Sequence, residues 1–201
     1  MYQSEWTQKP VLHLFPHWNW KQGQTVDVWA YFSQADEVEL FLNGKSVGIR
    51  TKNDSSLHAM WRLEFVPGQL KAVSRKHGKT VLESSIQTAA NPYQIVMRTA
   101  HSALNTAENE LGFVEITVVD ANGVPVQTAE NAISLSVQGG GKLEATDNGN
   151  PVELTPFNAS AKQLFNGKLL AIVKTTGGKG QILIQASSPG LKPAKLILLT
   201  K

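Results

Sequence analysis

From Thr25 onward, apolar and polar residues alternate with a period of two, the spacing of side chains on opposite faces of a strand. Val26, Val28, Ala30 and Phe32 share one face, and Asp27, Trp29 and Tyr31 share the other. In "VELFLNGKSVGIR", Val38, Leu40 and Leu42 alternate ahead of Asn43-Gly44, a dipeptide suited to the tight hairpin turn whose two central residues need positive φ. "AMWRLEFVPG" places Ala59, Trp61, Leu63 and Phe65 on one face and closes at Pro67-Gly68. "QLKAVSRKHGKTVLESSIQT" predicts a second hairpin, turning at His77-Gly78.

The breaker segment "TAANPY", residues 88–93, marks a domain boundary. A second strand series follows: "YQIVMRTA", "GFVEITVVD", "NAISLSVQ", "KLLAIVKTT", "GQILIQAS" and "AKLILLTK", with Asn122-Gly123, Gly139-Gly140-Gly141, Asn148-Gly149, Asn166-Gly167 and Gly177-Gly178 between them. Short strands at a spacing of roughly 8 to 12 residues with such turns predict antiparallel sandwiches. No segment keeps a helical period, and a short helix is expected only near "YQSEWTQ". The expectation is an all-β chain of two tandem immunoglobulin-like sandwiches, residues 1–89 and 92–201.

Composition agrees with two cores. Of 201 residues, 41% are hydrophobic and 17% charged, ordinary globular usage. With a net charge of +3 and its basic residues scattered singly, the chain is not built for nucleic acid. The absence of cysteine excludes disulfides, thiolate metal sites and thiol nucleophiles. No apolar run approaches the roughly 20 residues of a membrane span, so membrane insertion is not expected. Met1-Tyr2-Gln3-Ser4-Glu5 also lacks the order of a signal peptide, which leaves a cytosolic chain or one whose true start lies upstream.

Candidate chemistry gathers near the start. All five tryptophans lie in the first 61 residues, and four of the five histidines precede residue 80. His13 and His17 have a helical metal-ligand spacing, but Pro16 stands between them and no acidic third ligand is close, so no metal site is expected. Trp18 and Trp20 could seal one end of a sandwich or stack against a sugar, since indole buries apolar sugar faces and its N–H can donate to a hydroxyl. Glycoside hydrolysis needs two carboxyl groups about 5 to 9.5 Å apart, yet Asp27, Glu39, Glu64 and Glu115 fall on solvent sides of strands, and Asp120 and Asp147 fall in turns. There is no G-x-S-x-G elbow. "QGGGKLEATDNGN" lacks the ending of a phosphate loop and reads as β turns, as does "DNGNP", whose oxygens are too few for a calcium loop. "NDS" and "NAS" are nominal glycosylation acceptors.

"YQSEW", "KPVLHLFPHWNW" and "VELFLNGKSVG", in that order, resemble the segment after the catalytic barrel in bacterial family 2 glycoside hydrolases, the β-galactosidase group, especially multidomain enzymes of Bacteroides-like bacteria. "FVEITVVDANGVPVQTAENAISLSVQGGG" and "DNGNP...PFNASAKQLFNGKLLAIVKTTG" are similar to a further sandwich domain of such enzymes, with Asn150 and Leu111-Gly112 departing from the usual pattern. The resemblance implies a retaining glycosidase whose two glutamates sit on an (α/β)₈ barrel upstream of Met1, with residues 1–10 a remnant of the barrel's last helix. No catalytic residue is then expected in this chain, and no cofactor. The implied partners are that barrel and, through it, a carbohydrate substrate. Trp18 becomes a candidate for the rim of the substrate pocket, supported by His17 and Trp20, and the parent enzyme is expected to be periplasmic or exported. The alternatives are a free-standing carbohydrate-binding module and an Ig-like adhesion or scaffold protein.

Overall fold

The computed structural model describes residues 1–52, 56–107, 110–177 and 179–201; the "NDS" site and Gly178 lie outside them. The chain divides into two compact units, Met1–Thr88 and Ala89–Lys201.

The first unit opens with a helix α1 (Tyr2–Trp6) and continues through β1 (Val11–Phe15), β2 (Thr25–Ser33), β3 (Glu37–Leu42), β4 (Lys45–Arg50), β5 (Ala59–Glu64), β6 (Gln69–Lys76) and β7 (Lys79–Gln87). Two antiparallel sheets form, ordered β1-β2-β5 and β4-β3-β6-β7. The period-two pattern dictates which residues turn inward. Leu14 of β1, Val28 and Phe32 of β2 and Trp61 of β5 meet Val38 and Leu40 of β3 and Leu70 and Ala72 of β6 in one buried cluster. Asn43 and Gly44 take φ of 52° and 81°, as the hairpin required. Asn43 then uses its side chain as a staple: Nδ2 donates to the Pro67 carbonyl at 3.1 Å, and Oδ1 accepts from the Gln69 amide at 2.8 Å.

β1 was not among the expected strands, because His13 and Phe15 disguise the inward alternation of Leu12 and Leu14. It pairs antiparallel with β2, His13 opposite Tyr31 and Phe15 opposite Trp29. Residues at the start belong to the unit as well: Ser4 is buried, Glu5 pairs with Lys52 at 2.6 Å, and Ser33 donates to the Lys9 carbonyl.

The second unit comprises β8 (Gln94–Thr99), β9 (Ala103–Leu104), β10 (Leu111–Val119), β11 (Ala132–Gly139), β12 (Gly141–Asp147), β13 (Ala161–Gln163), β14 (Lys168–Thr175), β15 (Gly180–Ser187) and β16 (Ala194–Thr200). Its sheets are ordered β12-β14-β10-β8 and β13-β11-β15-β16-β9, the last pairing being parallel. Val114, Ile116 and Val118 of β10 and Leu169, Ala171 and Val173 of β14 close on Ile133, Ile182, Ile184 and Leu198 of the other sheet. Gly112 keeps that packing tight, since a Cβ there would stand 3.1 Å from methyls of both Leu104 and Leu198. The "KLEATD" stretch, expected as turn, is the strand β12; a register shift between Leu143 and Ala145 breaks the alternation that would have announced it.

Candidate functional site

Four things make the Phe15–Gln24 loop a defined shape: the end of β1, a cis peptide between Phe15 and Pro16, and two indole anchors. Trp18 has 0% of its surface exposed; its ring meets Phe65 edge-on at 5.1 Å, and Nε1 donates to the Val66 carbonyl at 3.0 Å. Its own carbonyl accepts from Thr88 Oγ1 at 2.7 Å, so the loop is tied to both ends of the unit's sequence. Trp18 therefore seals the sandwich from within. No face of its indole reaches solvent, and a sugar could touch it only after the loop opened.

His17 and Trp20 form the outer layer of the same loop. Their rings stack at 4.5 Å with planes 15° apart, and Trp20 Nε1 donates to the His17 carbonyl at 2.7 Å. Nδ1 of His17 accepts from the Asn19 amide at 3.2 Å, which requires that nitrogen unprotonated. Burial pushes the His17 pKa below its ordinary 6.5, in the same sense. Both side chains are half-buried. His13, whose spacing suggested a pair with His17, points to the exposed side of β1.

A second grouping, which the sequence reading did not assemble, covers the outer face of the β1-β2-β5 sheet. Cross-strand pairing sets Phe15, Trp29 and Met60 in one row, with His13 and Tyr31 in the next. His58 lies over Trp29, rings stacked at 4.5 Å and 19°, and meets Tyr31 edge-on at 5.6 Å. Phe15 is 48% exposed and Met60 42%. The Trp29 indole N–H is shut away from solvent with no acceptor among the described residues. Beyond the row, Arg62 grips Asp27 through two bonds of 2.7 and 2.9 Å.

The carboxylates are committed elsewhere. Those whose pKa departs from its ordinary value, Glu5, Asp27, Glu39, Asp120, Glu144 and Glu153, all move down. Hydrogen bonds to the ionised form are the leading cause throughout: Lys52 on Glu5, Arg62 on Asp27, Ser46 on Glu39, the Ala90 amide on Asp120, Lys142 on Glu144 and the Thr155 amide on Glu153. A glycosidase acid needs the opposite shift, upward, so that it holds a proton at working pH. Glu115, beside a surface hollow of about 250 Å³, is paired with Lys168 at 2.8 Å.

In the 147–160 loop the side-chain oxygens turn back on their own backbone. Asp147 accepts from Gly149, Asn148 from Asn150, and Asn150 from Val152, which is turn stabilisation. Among the described residues no three His, Asp or Glu converge as metal ligands. Asn158 of "NAS" lies exposed in this loop.

Comparison with known proteins places these features in a lineage. Residues 95–197 match the family described as glycoside hydrolase family 2 C-terminal domain 5, and residues 23–82 match a domain of unknown function, DUF4982. A β-galactosidase of Bacteroides ovatus is 44% identical over 98% of the chain and 23% of its own length. A β-glycosidase of Bacteroides vulgatus superimposes with a TM-score of 0.91 at 32% identity, over 98% of this chain and 26% of its own. A glycosyl hydrolase family 2 member of Bacteroides cellulosilyticus gives 0.91 at 25% identity, over 99% and 29%. The chain thus spans about a quarter of the length of these relatives.

Proposed function

We propose, for a chain that belongs to glycoside hydrolase family 2 through its C-terminal domain, a non-catalytic role in a β-galactosidase-like enzyme that hydrolyses terminal β-glycosides with retention. On this reading the two units support a catalytic barrel carried elsewhere in the same polypeptide, and the first unit shapes one side of its pocket rim. The observation that carries it is the state of the carboxylates. Each carboxylate with a shifted pKa is held ionised by a hydrogen-bonding partner, the state of a structural ion rather than of the protonated acid that a departing sugar needs, which supports a scaffold.

Within the proposal the Phe15–Gln24 loop has two layers with different work. Trp18 holds it from beneath, and the stacked His17–Trp20 pair is the part able to face a substrate pocket. A bare ring stack supplies little affinity by itself, so the isolated chain binds sugar weakly on this reading.

The test is replacement. The region of the Bacteroides ovatus β-galactosidase that matches this chain is deleted, or exchanged for the 201 residues here. The deleted enzyme loses thermal stability and turnover of an aryl β-galactoside, and the exchanged enzyme regains both. An exchanged enzyme no better than the deleted one overturns the proposal.

A further inference from the structure

The outer face of the β1-β2-β5 sheet does not look like a surface meant for water. Phe15, Trp29 and Met60 stand in one cross-strand row with Tyr31 and His58 beside them, and the nearest charges, Asp27 and Arg62, neutralise each other. Aromatic rings and methionine with little unpaired charge are what distinguish the centre of a protein interface from ordinary surface. We infer that this face is the docking surface for the catalytic portion of the enzyme, an inference that rests on the proposed function and adds where the contact is made.

Three observations select that occupant. First, the Trp29 ring is not free for a sugar: His58 is stacked on it and Phe15 leans against it at 6.1 Å and 55°, so a pyranose finds no open indole face. Second, the buried Trp29 N–H lacks an acceptor among the described residues, a deficit that a polypeptide carbonyl arriving at the face can meet once His58 shifts. Third, roughly three quarters of the length of the relatives lies outside the matched span, and that remainder is the polypeptide available to cover the face. α1 itself packs against β1 and β2 and presents Tyr2, 64% exposed, and Trp6, 79% exposed, as further apolar surface.

The experiment uses the exchanged Bacteroides ovatus enzyme described above, with Phe15→Asp and Met60→Lys added to this chain. Both side chains are about half exposed, so the sandwich beneath them tolerates the change. The expected result is thermal inactivation faster by about tenfold or more, the scale of a lost central interface contact. Unchanged inactivation in an active exchanged enzyme overturns the docking face and leaves the proposed function standing; failure of the unsubstituted exchange strikes that function instead. A second readout needs no substitution. Met60 in the exchanged enzyme is expected to resist peroxide oxidation about tenfold better than a solvent-exposed methionine, as a covered thioether should. Oxidation at the exposed rate, or protection that develops only on adding galactose, overturns the inference.

Discussion

Replacing Trp18 by alanine should strongly destabilise the first unit. The indole is wholly buried, packs edge-on against Phe65 and donates to the Val66 carbonyl, so its removal leaves a large cavity and an orphaned acceptor. Core Trp→Ala changes cost about 3–5 kcal/mol. At roughly 0.05–0.15 kcal/mol per residue, a unit spanning Met1–Thr88 holds about 4–13 kcal/mol in all. The substitution therefore removes between a quarter and the whole of it. Trp18→Phe keeps most of the apolar ring but loses the N–H donor, a bond worth about 0.5–1.5 kcal/mol, together with part of the packing; its total cost should be about 1–3 kcal/mol. Urea unfolding followed by tryptophan fluorescence is the assay, because all five tryptophans lie in the first unit and the second contributes no indole signal. The midpoint should fall with the slope retained. A Trp18→Ala cost under about 1 kcal/mol would refute the reasoning, since only a surface indole is that cheap to lose.

Other consequences follow from single contacts. Gly139→Ala should destabilise the second unit by about 2–3 kcal/mol, because φ there is +87°, a Cβ would run into the Gln181 carbonyl oxygen, and the Gly140 amide bond to that oxygen would be disturbed; Gly123→Ala, at φ +81° in open space, should cost only about 1–2 kcal/mol by calorimetry. Glu153 is held down to about 2 from an ordinary 4.5 by the Thr155 amide, so its contribution is complete above pH 4.5 and lost as pH falls through about 2; acid unfolding of the second unit by circular dichroism should show this, and Glu153→Gln should flatten the curve. His17 has the reverse chemistry and the same direction: burial favours its neutral form, so its share of first-unit stability is complete above pH 6.5 and withdrawn as pH drops below that value, a dependence His17→Gln should abolish in fluorescence-monitored unfolding.

Much of the architecture is local and was legible for that reason. The alternation in β2, β3 and β10 and the Asn43-Gly44 turn each depend on a few adjacent residues, and the sequence pattern and the structure coincide there. β1 and β12 were hidden by chemistry that local pattern does not carry. In β1 the outward positions hold a histidine and a phenylalanine in place of plainly polar residues, and in β12 the shifted register interrupts the period. The short strands β9 and β13 are too brief to show a period at all.

The loop around Trp18 stood out in the sequence through its aromatic density, but density does not say which ring turns inward. Burial of Trp18 follows from Val66 and Thr88, 48 and 70 residues away along the chain. The aromatic face is non-local in the same way. Trp29 and Tyr31 were visibly on one side of a strand, yet that Phe15, His58 and Met60 join them depends on which strands pair and in what register. His58, 41 residues beyond His17, gave no local signal of it; the alternation of "VLHLF", read as a strand opposite "TVDVWAYFS", would have.

The central claim is that these residues support chemistry performed elsewhere, and turnover by the purified chain alone tests it most directly. Incubated with an aryl β-galactoside, the 201-residue chain should release the aryl group no faster than buffer does. Release at an enzymatic rate, on the order of 1 s⁻¹ or more, that disappears when a single glutamate of this chain becomes glutamine would contradict the account and place a catalytic carboxylate within it.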